Sequence, residues 1–453
     1  MLRGHDGTRW IFVFYLVLLI WVPIPFGSNR SWAWALLEVW VILLGLWWLA
    51  GFIRGRFSHG AILHDAWPML LCGSLWLGYV WFQLLPLPFE LLDLLSPQAA
   101  RWHAAAAAPD ARPYAPLTLD RYATLEGASR STAYATFFIL SLILLENRDR
   151  IRSAAYALVV SGILQAWYGA LTALQNIGAP ASGTFVNRNH FAAYLVMCLS
   201  VGIGVLIASL SGTKSTSWGH FLRDLVRWII TPKMALRLGL LLMVIALVLT
   251  RSRMGNSSFF ISLLATGGIG LLLSKRATRS MVILIATLVV IDVAIVGTYF
   301  GVERVVERIE QTQPETERRE AVQALEVWKD FPVFGAGLGS FHVVFPRYSG
   351  PGSDVSPTHA HNDYVEFAGE TGIVGVTLLG LLVLMSFAAA LRAQYLRQDP
   401  LMRGISFGAL MAIIALGIHS TVDFNLQIPA NALTFMLLLA FAWISRYHES
   451  AES

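Results

Sequence analysis

The chain has 453 residues, of which 56% are hydrophobic and only 13% are charged. A soluble globular domain carries about 25% charged residues, so this composition argues against an ordinary soluble domain and favours a chain embedded in lipid. The formal net charge is +5, but in a membrane protein the positions of the basic residues are more informative than their sum. The two cysteines, Cys72 and Cys198, lie inside apolar runs and indicate neither a disulfide framework nor a zinc site.

The first apolar run, Trp10 to Val22, follows Arg3 and Arg9 and superficially resembles a signal peptide. No convincing small-residue cleavage site follows it, so we interpret it as an uncleaved first membrane helix.

Twelve apolar segments in all approach the roughly 20 residues needed to cross about 30 Å of hydrocarbon. In lipid each must be a helix, because every backbone amide needs an internal partner. The predicted segments are 10–27, 32–53, 67–86, 131–145, 153–176, 190–211, 236–250, 255–274, 280–300, 373–391, 404–421 and 430–446.

The distribution of Lys and Arg predicts the orientation of these helices. With the N-terminus inside, the inner loops are rich in basic residues, and the short outer loops hold only Arg30, Arg188, Arg251 and Arg253. This asymmetry follows the positive-inside rule and predicts that both termini are cytoplasmic.

The topology divides the chain into five parts. These are membrane helices 1–3 (residues 1–86), a first outer loop (87–130), membrane helices 4–9 (131–301), a large outer loop that carries a motif (302–372), and membrane helices 10–12 with a cytoplasmic tail (373–453). The large outer loop is predicted to be structured, because Pro314 and Glu315 are typical of a helix start. Val322, Leu325 and Trp328 predict the apolar face of that helix.

The outer arginines are informative because they break the positive-inside trend. Arg188 lies between Asn187 and Asn189, while Arg251 and Arg253 close the seventh helix. A guanidinium is a fixed fork of donors suited to phosphate, so these arginines are candidates to hold a diphosphate at the membrane surface. The alternative is that they reach lipid headgroups or pair with acids.

Two histidines, His359 and His361, open the tenth helix with Asp363 and Glu366 close by. Histidine is a natural general base near neutral pH, so either one is a candidate to take a proton. Their spacing matches no common metal motif. A structural role at the water boundary is the competing interpretation.

Other polar residues in or near the predicted helices have no single interpretation. Asp292 and Glu38 lie inside apolar segments and could be structural partners or part of a polar cavity. His419, Asp423 and Asn425 lie around the outer end of the eleventh helix. They could line the same outer cavity or cap the helix and form a turn.

These residues give the chain a resemblance to the O-antigen ligase and Wzy-type polysaccharide polymerase superfamily. The resemblance rests on His361 followed by Gly372 within His-Asn-Asp-Tyr-Val-Glu-Phe-Ala-Gly-Glu-Thr-Gly, and on the glycine turn at 335–341. The Asn187-Arg188-Asn189 and Ser252-Arg253 elements are similar to the family's two outer arginine sites. The resemblance covers mainly residues 180–430.

The resemblance implies an all-α integral membrane protein with about twelve transmembrane helices, GT-C-like, and a structured periplasmic loop before the tenth helix. It implies a bacterial inner-membrane glycosyltransferase without metal or cofactor. Its donor would be an undecaprenyl-diphosphate-linked glycan, and its acceptor a glycan or lipid A-core. Polysaccharide export or chain-length proteins are further candidate partners, and no nucleic acid is expected.

By the resemblance, Arg188 and Arg253 would hold the diphosphate and His361 would activate the acceptor hydroxyl. His359 remains an alternative base, and Arg251 a further candidate for the diphosphate. The candidate supporting residues are Asn187, Asn189, Asn362, Asp363, Glu366 and Gly372.

Several functions remain open at this point. An O-antigen ligase is the first expectation, a Wzy-type polymerase of O-antigen, capsule or exopolysaccharide is the alternative, and a protein-glycosylating enzyme shares the same residues. A lipid-linked glycan transporter is disfavoured because the chain has no evident internal repeat and its polar clusters lie at helix ends. A catalytically silent scaffold is the remaining rival.

Overall fold

A computed structural model describes residues 7–58, 60–106, 113–176, 178–210, 232–273, 315–349 and 358–448. Helices overlap eleven of the twelve predicted apolar segments. They are α1 (Arg9–Trp21), α2 (Ser31–Ile53), α4 (Trp67–Phe82), α7 (Arg121–Leu144), α8 (Arg148–Gln175), α9 (Arg188–Leu210), α10 (Pro232–Leu249), α11 (Arg253–Leu273), α14 (Asp363–Leu396), α15 (Pro400–His419) and α16 (Pro429–Tyr447).

Shorter elements join these helices. They are α3 (Ala61–Asp65), α5 (Phe89–Leu95), α6 (Pro97–Ala106), α12 (Glu315–Asp330), α13 (Phe341–Val344), the strands β1 (Leu87–Pro88) and β2 (Tyr114–Ala115), and 3-10 turns at Phe26–Ser28, Phe345–Arg347 and Asn425–Gln427.

The described residues are almost entirely helical, which is consistent with an all-α, multi-pass membrane protein. Seven of them are long and apolar enough to cross a membrane: α2, α8, α9, α11, α14, α15 and α16. The apolar parts of α1, α4 and α10 are shorter. The ninth predicted segment, 280–300 with Asp292, lies outside the described residues, so twelve crossings and the GT-C-like arrangement stay predictions.

The bundle is built around α9, which is almost completely buried and packs against α8, α10, α11, α15 and α16. Its contact with α15 is close because both helices carry glycine there. A Cβ atom on Gly204 would lie 2.1 Å from the Gly404 carbonyl oxygen, and one on Gly408 would lie 2.8 Å from the Ser200 carbonyl oxygen. Small residues allow such backbone approach in membrane helices, where packing drives association.

Helix α7 begins at Arg121, earlier than the apolar segment predicted from residue 131. The Asp120 carboxylate caps it by accepting from the backbone N–H groups of Tyr122 and Ala123. The added turns carry Glu126 and Arg130, which pair at 3.4 Å. Hydropathy alone therefore underestimates the length of this helix.

Helix α14 contains a sharp break at Gly372, where φ is 58° and ψ is −167°. The predicted start of the tenth segment at residue 373 coincides with this break. Residues 363–371 form a separate helical segment that continues from the histidine motif. The break therefore joins a membrane helix to the candidate site.

The two long segments predicted as outer loops pack into one small structured unit. β1 pairs antiparallel with β2, and α5 and α12 contribute to a shared core. That core contains Leu92, Leu117, Val327, Phe331, Phe341 and Phe345. The predicted helix after residue 314 is confirmed as α12, although Pro314 itself lies outside the described residues.

The predicted apolar face of α12 was wrong at Val322 only, since Leu325 and Trp328 are half-buried. Val322 is exposed, whereas Ala324, Val327 and Phe331 are buried. A Cβ atom on Gly369 of α14 would lie 3.3 Å from a Val327 side-chain carbon, so α12 packs closely against a glycine.

The glycine turn at 335–339 is held against the break in α14. Gln83, fully buried at the end of α4, donates to the carbonyl oxygens of Phe334 and Glu370 and accepts from the Leu338 N–H. The Tyr79 hydroxyl lies within hydrogen-bond distance of the Phe334 and Thr371 oxygens, at 2.6 and 2.8 Å. The membrane helix α4 therefore fixes the outer unit on the segment that carries the motif.

We expect Gly372→Ala to destabilise the folded protein by about 3 kcal/mol, because its backbone conformation is accessible essentially only to glycine. A Cβ atom there would also lie 2.2 Å from the Val333 carbonyl oxygen. Thermal unfolding of the purified protein measures the effect. Gly380→Ala on the same helix is the matched control, since its Cβ would meet nothing within 4 Å. Equal melting temperatures for the two variants would contradict this account of the break.

Candidate functional site

His359 and Glu366 form a close pair at the start of α14. His359 Nδ1 lies 2.7 Å from Glu366 Oε1, and the Ala360 N–H donates to Glu366 Oε2 at 2.8 Å. The Glu366 carboxylate is buried in the first turn of the helix, where an acid is favoured by the helix dipole. It therefore fixes both the orientation of the His359 ring and the path of the segment before the helix.

His361 differs from His359 in having a strained backbone and no hydrogen bond to any residue that the structure describes. Its φ of 48° lies in the left-handed region, which non-glycine residues seldom adopt. Strain of this kind persists only where the surroundings impose it, and it concentrates at functional sites. The ring of His361 is half-buried, so its nitrogens are available to a substrate.

Asn362 and Asp363 hold this segment in place. The Asn362 side chain caps α14 and donates from Nδ2 to the Thr421 carbonyl oxygen at 2.8 Å. The Asp363 N–H donates to the Ser420 carbonyl oxygen, and the Ser420 hydroxyl donates to Asp363 Oδ2 at 2.6 Å. The motif is thereby attached to the loop that follows α15, which explains why His361 keeps its strained conformation.

Phe424, in that loop, is the centre of the site. His359 stacks on its ring with centroids 4.1 Å apart and planes 15° apart. The rings of His361 and His190 meet it edge-on, at 5.0 Å and 4.6 Å between centroids. One aromatic side chain therefore brings the histidine motif next to the segment that carries Arg188.

A buried carboxylate lies beneath Phe424. Asp423 Oδ1 is 3.3 Å from His190 Nε2, and Oδ2 is 3.8 Å from His419 Nε2. Burial would raise the pKa of the Asp423 carboxyl, but His190, His419 and the Phe424 N–H together hold that pKa below its usual value. Asp423 is thus an anion that fixes the Phe424 loop to α9 and α15.

Arg188 and Arg253 open two neighbouring helices, α9 and α11, and both are exposed. The first turns of these helices touch, since a Cβ atom on Gly255 would lie 2.6 Å from the Ala192 Cβ. With a rise of about 1.5 Å per residue, each arginine lies within about 6 Å of this contact along its helix axis. The two arginines therefore begin their helices close together, and we call them the arginine patch; His190 follows Arg188 within the first turn of α9.

Arg251 lies in the turn between α10 and α11 with φ of 53°. Its guanidinium donates to the Gly178 carbonyl oxygen at 2.9 Å. Asn187 accepts from the Asn189 N–H at 2.8 Å in the turn that precedes α9. These residues shape the loops around the arginine patch.

The structure therefore brings together three features that the sequence placed at helix ends. They are the segment with Arg188, the turn with Arg251 and Arg253, and the histidine motif. Phe424 was not predicted, because a lone aromatic residue in a loop carries no spacing signal. His190 was part of the Arg188 segment but was not singled out. The sequence left open whether His419, Asp423 and Asn425 line a cavity or form a turn. In the structure, Asp423 is buried next to His190 and His419.

A cavity of about 730 Å³ opens beside the motif, and its lining includes no described residue of α9 or α11. It lies among α4, α7, α14, α15 and α16, and it runs along α14 from Asp363 to Leu384. Its walls are mostly apolar, and Arg130, Asp363, Ser420 and Gln427 give it a polar end.

No curated protein matches the chain. Residues 238–380 match the family model described as O-antigen ligase, Wzy_C. That range contains Arg251, Arg253, both motif histidines and the break at Gly372, and the match confirms the resemblance of this part of the chain to the O-antigen ligase and Wzy-type polymerase superfamily.

Proposed function

We propose that this protein is a glycosyltransferase of O-antigen ligase type, which transfers a glycan from undecaprenyl diphosphate to an acceptor sugar hydroxyl. The observation that supports this most strongly is the contact of His190, His359 and His361 with Phe424. Phe424 places His361, whose ring nitrogens bond none of the described residues, beside the first turn of α9, and the packing of α9 against α11 adds Arg253 to Arg188 at the same end of the bundle. Those are the groups that a transfer from a lipid diphosphate requires.

Arg188 and Arg253 bind the diphosphate of the donor. As the bond between the anomeric carbon and the phosphate oxygen breaks, negative charge grows on the departing diphosphate. Fixed guanidinium groups stabilise that charge more in the transition state than in the bound donor, which lowers the barrier. The donor also supplies the free energy, since an outer-face enzyme has no ATP.

His361 takes the proton of the acceptor hydroxyl. The acceptor oxygen forms its bond to the anomeric carbon, the diphosphate leaves with the electron pair of the broken bond, and the proton moves to a ring nitrogen of His361. A base needs a nitrogen within reach of the substrate. His361 has no hydrogen bond to the described residues, whereas Nδ1 of His359 is occupied by Glu366. His359 and Glu366 therefore position the loop.

The site lies on the periplasmic face of the bacterial inner membrane, with both termini in the cytoplasm. The positive-inside pattern supports this orientation, because the exposed arginines of the site are its exceptions. The acceptor is the core sugar of a lipopolysaccharide for a ligase, or another repeat unit for a polymerase.

Deleting the gene and analysing the surface glycans tests the proposal. Long chains that accumulate on the lipid carrier identify a ligase, and single repeat units identify a polymerase. Unchanged glycans would contradict both. Transport of the lipid-linked glycan across vesicles by purified protein, with no glycan transfer, would identify a transporter instead.

A further inference from the structure

The apolar cavity beside the motif is large, and neither the arginine patch nor the histidine cluster explains it. Its volume of about 730 Å³ is comparable to that of a small-molecule binding site. It is lined by α4 and α7 on one side and by α14, α15 and α16 on the other. An apolar space that opens within a membrane bundle is suited to the hydrocarbon chain of a lipid.

The polar end of the cavity directly adjoins the motif. Asp363 is 1% exposed and lines the cavity, and its Oδ1 atom has no hydrogen-bond partner among the described residues. Gln427 also lines the cavity, and its Nε2 atom is likewise without a partner there. A buried polar atom is normally satisfied, so this end is suited to a ligand that both donates and accepts hydrogen bonds.

The charges at this end favour a hydroxyl-bearing headgroup over a diphosphate. The lining contains the cation Arg130, but Glu126 lies 3.4 Å from it and offsets its charge. Asp363 adds a carboxyl group. Arg188 and Arg253 are not part of the lining, and the helices that they open, α9 and α11, pack against α15, whose residues Ile413, Leu416 and Gly417 line the cavity.

We infer that the cavity binds the apolar chain of the lipid-anchored acceptor, with acceptor sugar hydroxyls at Asp363 and Gln427. This inference rests on the proposed glycan transfer. The donor then approaches the histidines from the side of α9 and α11, and the acceptor from the side of α4, α7 and α14. The reacting hydroxyl and the diphosphate meet at the Phe424 loop.

Two glycines that line the cavity have room for a first side-chain atom, so each is a position from which the cavity can be filled. Gly73 on α4 and Gly380 on α14 line the cavity, and a Cβ atom on either would meet nothing within 4 Å. Gly78 on α4 has equally open space but does not line the cavity. It therefore provides a matched control for the added bulk.

The test uses the full-length protein in lipid nanodiscs, with donor and acceptor glycolipids extracted from the native membrane. The second acceptor is the same glycan released from its lipid by mild acid. We expect Gly73→Phe and Gly380→Phe to raise KM for the glycolipid acceptor about tenfold or more, as a misfit in an apolar pocket does. KM for the released glycan, KM for the donor and kcat should stay unchanged, and Gly78→Phe should match the unaltered protein.

Two results would overturn the inference. A rise in KM for the donor would assign the cavity to the donor chain, and unchanged constants for both substrates would assign it to a structural bilayer lipid. Gly73→Ala and Gly380→Ala should change the same KM in the same direction, but by less than phenylalanine does. A response that grows with the size of the side chain separates filling of the cavity from misfolding. Arg188→Ala tests the proposed function separately: it should abolish transfer to both acceptors, and retained transfer would refute the proposed function whatever the glycine variants do.

Discussion

Arg188→Ala and Arg253→Ala should each slow glycan transfer about 100-fold or more, because removing one fixed donor to a developing anion has effects of this size. Both arginines are exposed at helix starts, where a substitution usually changes stability by no more than about 0.5 kcal/mol, so the melting temperature of each variant should fall far less than its rate. The measurement is the rate of transfer from lipid-linked donor by purified protein, with thermal unfolding alongside. Normal rates in both variants at normal stability would refute the diphosphate site.

Lysine at either position should restore only part of the rate. Lysine keeps the charge but cannot present two parallel donors to a phosphate. Full recovery of the transfer rate in Arg188→Lys would show that only the positive charge of Arg188 is needed.

Arg251→Ala provides the matched control for the arginine patch. Arg251 shares the exposure and charge of its neighbours, but its guanidinium donates to the Gly178 carbonyl oxygen. An exposed hydrogen bond contributes little, so we expect a change of less than about threefold in rate. A loss as large as that of Arg253→Ala would add Arg251 to the diphosphate site.

Hydropathy and local sequence rules predicted most of the membrane helices, because a run of about 20 apolar residues in lipid has few other structures available. They failed where polar residues belong to a membrane helix. The outer turns of α7 are capped by Asp120 and carry Glu126 and Arg130, which pair with each other instead of ending the helix. Hydropathy weighs each residue alone, so it cannot recognise an ion pair that lowers the cost of two charges.

The sequence singled out most residues of the candidate site, but it gave no indication of how they are arranged. The histidine motif and the arginines were visible as polar exceptions at helix ends. Their meeting depends on Phe424, which lies far along the chain from both and has no periodic partner. The same applies to Gln83, whose role depends on reaching the carbonyl oxygens of Phe334 and Glu370 in a distant segment. Contacts between distant segments leave no spacing pattern in a single sequence.

His361→Ala should reduce transfer about 1,000-fold, as expected for loss of a general base. His359→Ala and Glu366→Gln should reduce it less, about tenfold to 100-fold, because they act by positioning the loop and Phe424. His359 is already engaged at Nδ1 and across one ring face, so it has less of its ring available for the acceptor than His361. Steady-state rates of the three variants at saturating donor test this order.

A larger loss of rate in His359→Ala than in His361→Ala would identify His359 as the base. In that case Glu366 would orient the base, as an acid orients the histidine of other base-activated sites, and His361→Ala would be the milder change. The transfer rate measured with the released glycan decides whether His361 or His359 is the base. This acceptor has no lipid chain, so the variants are compared without any effect of that chain on acceptor binding. A base contacts the acceptor hydroxyl itself, so its loss must lower kcat equally for the glycolipid and for the released glycan. A residue that only positions the loop can shift KM for one acceptor and spare the other.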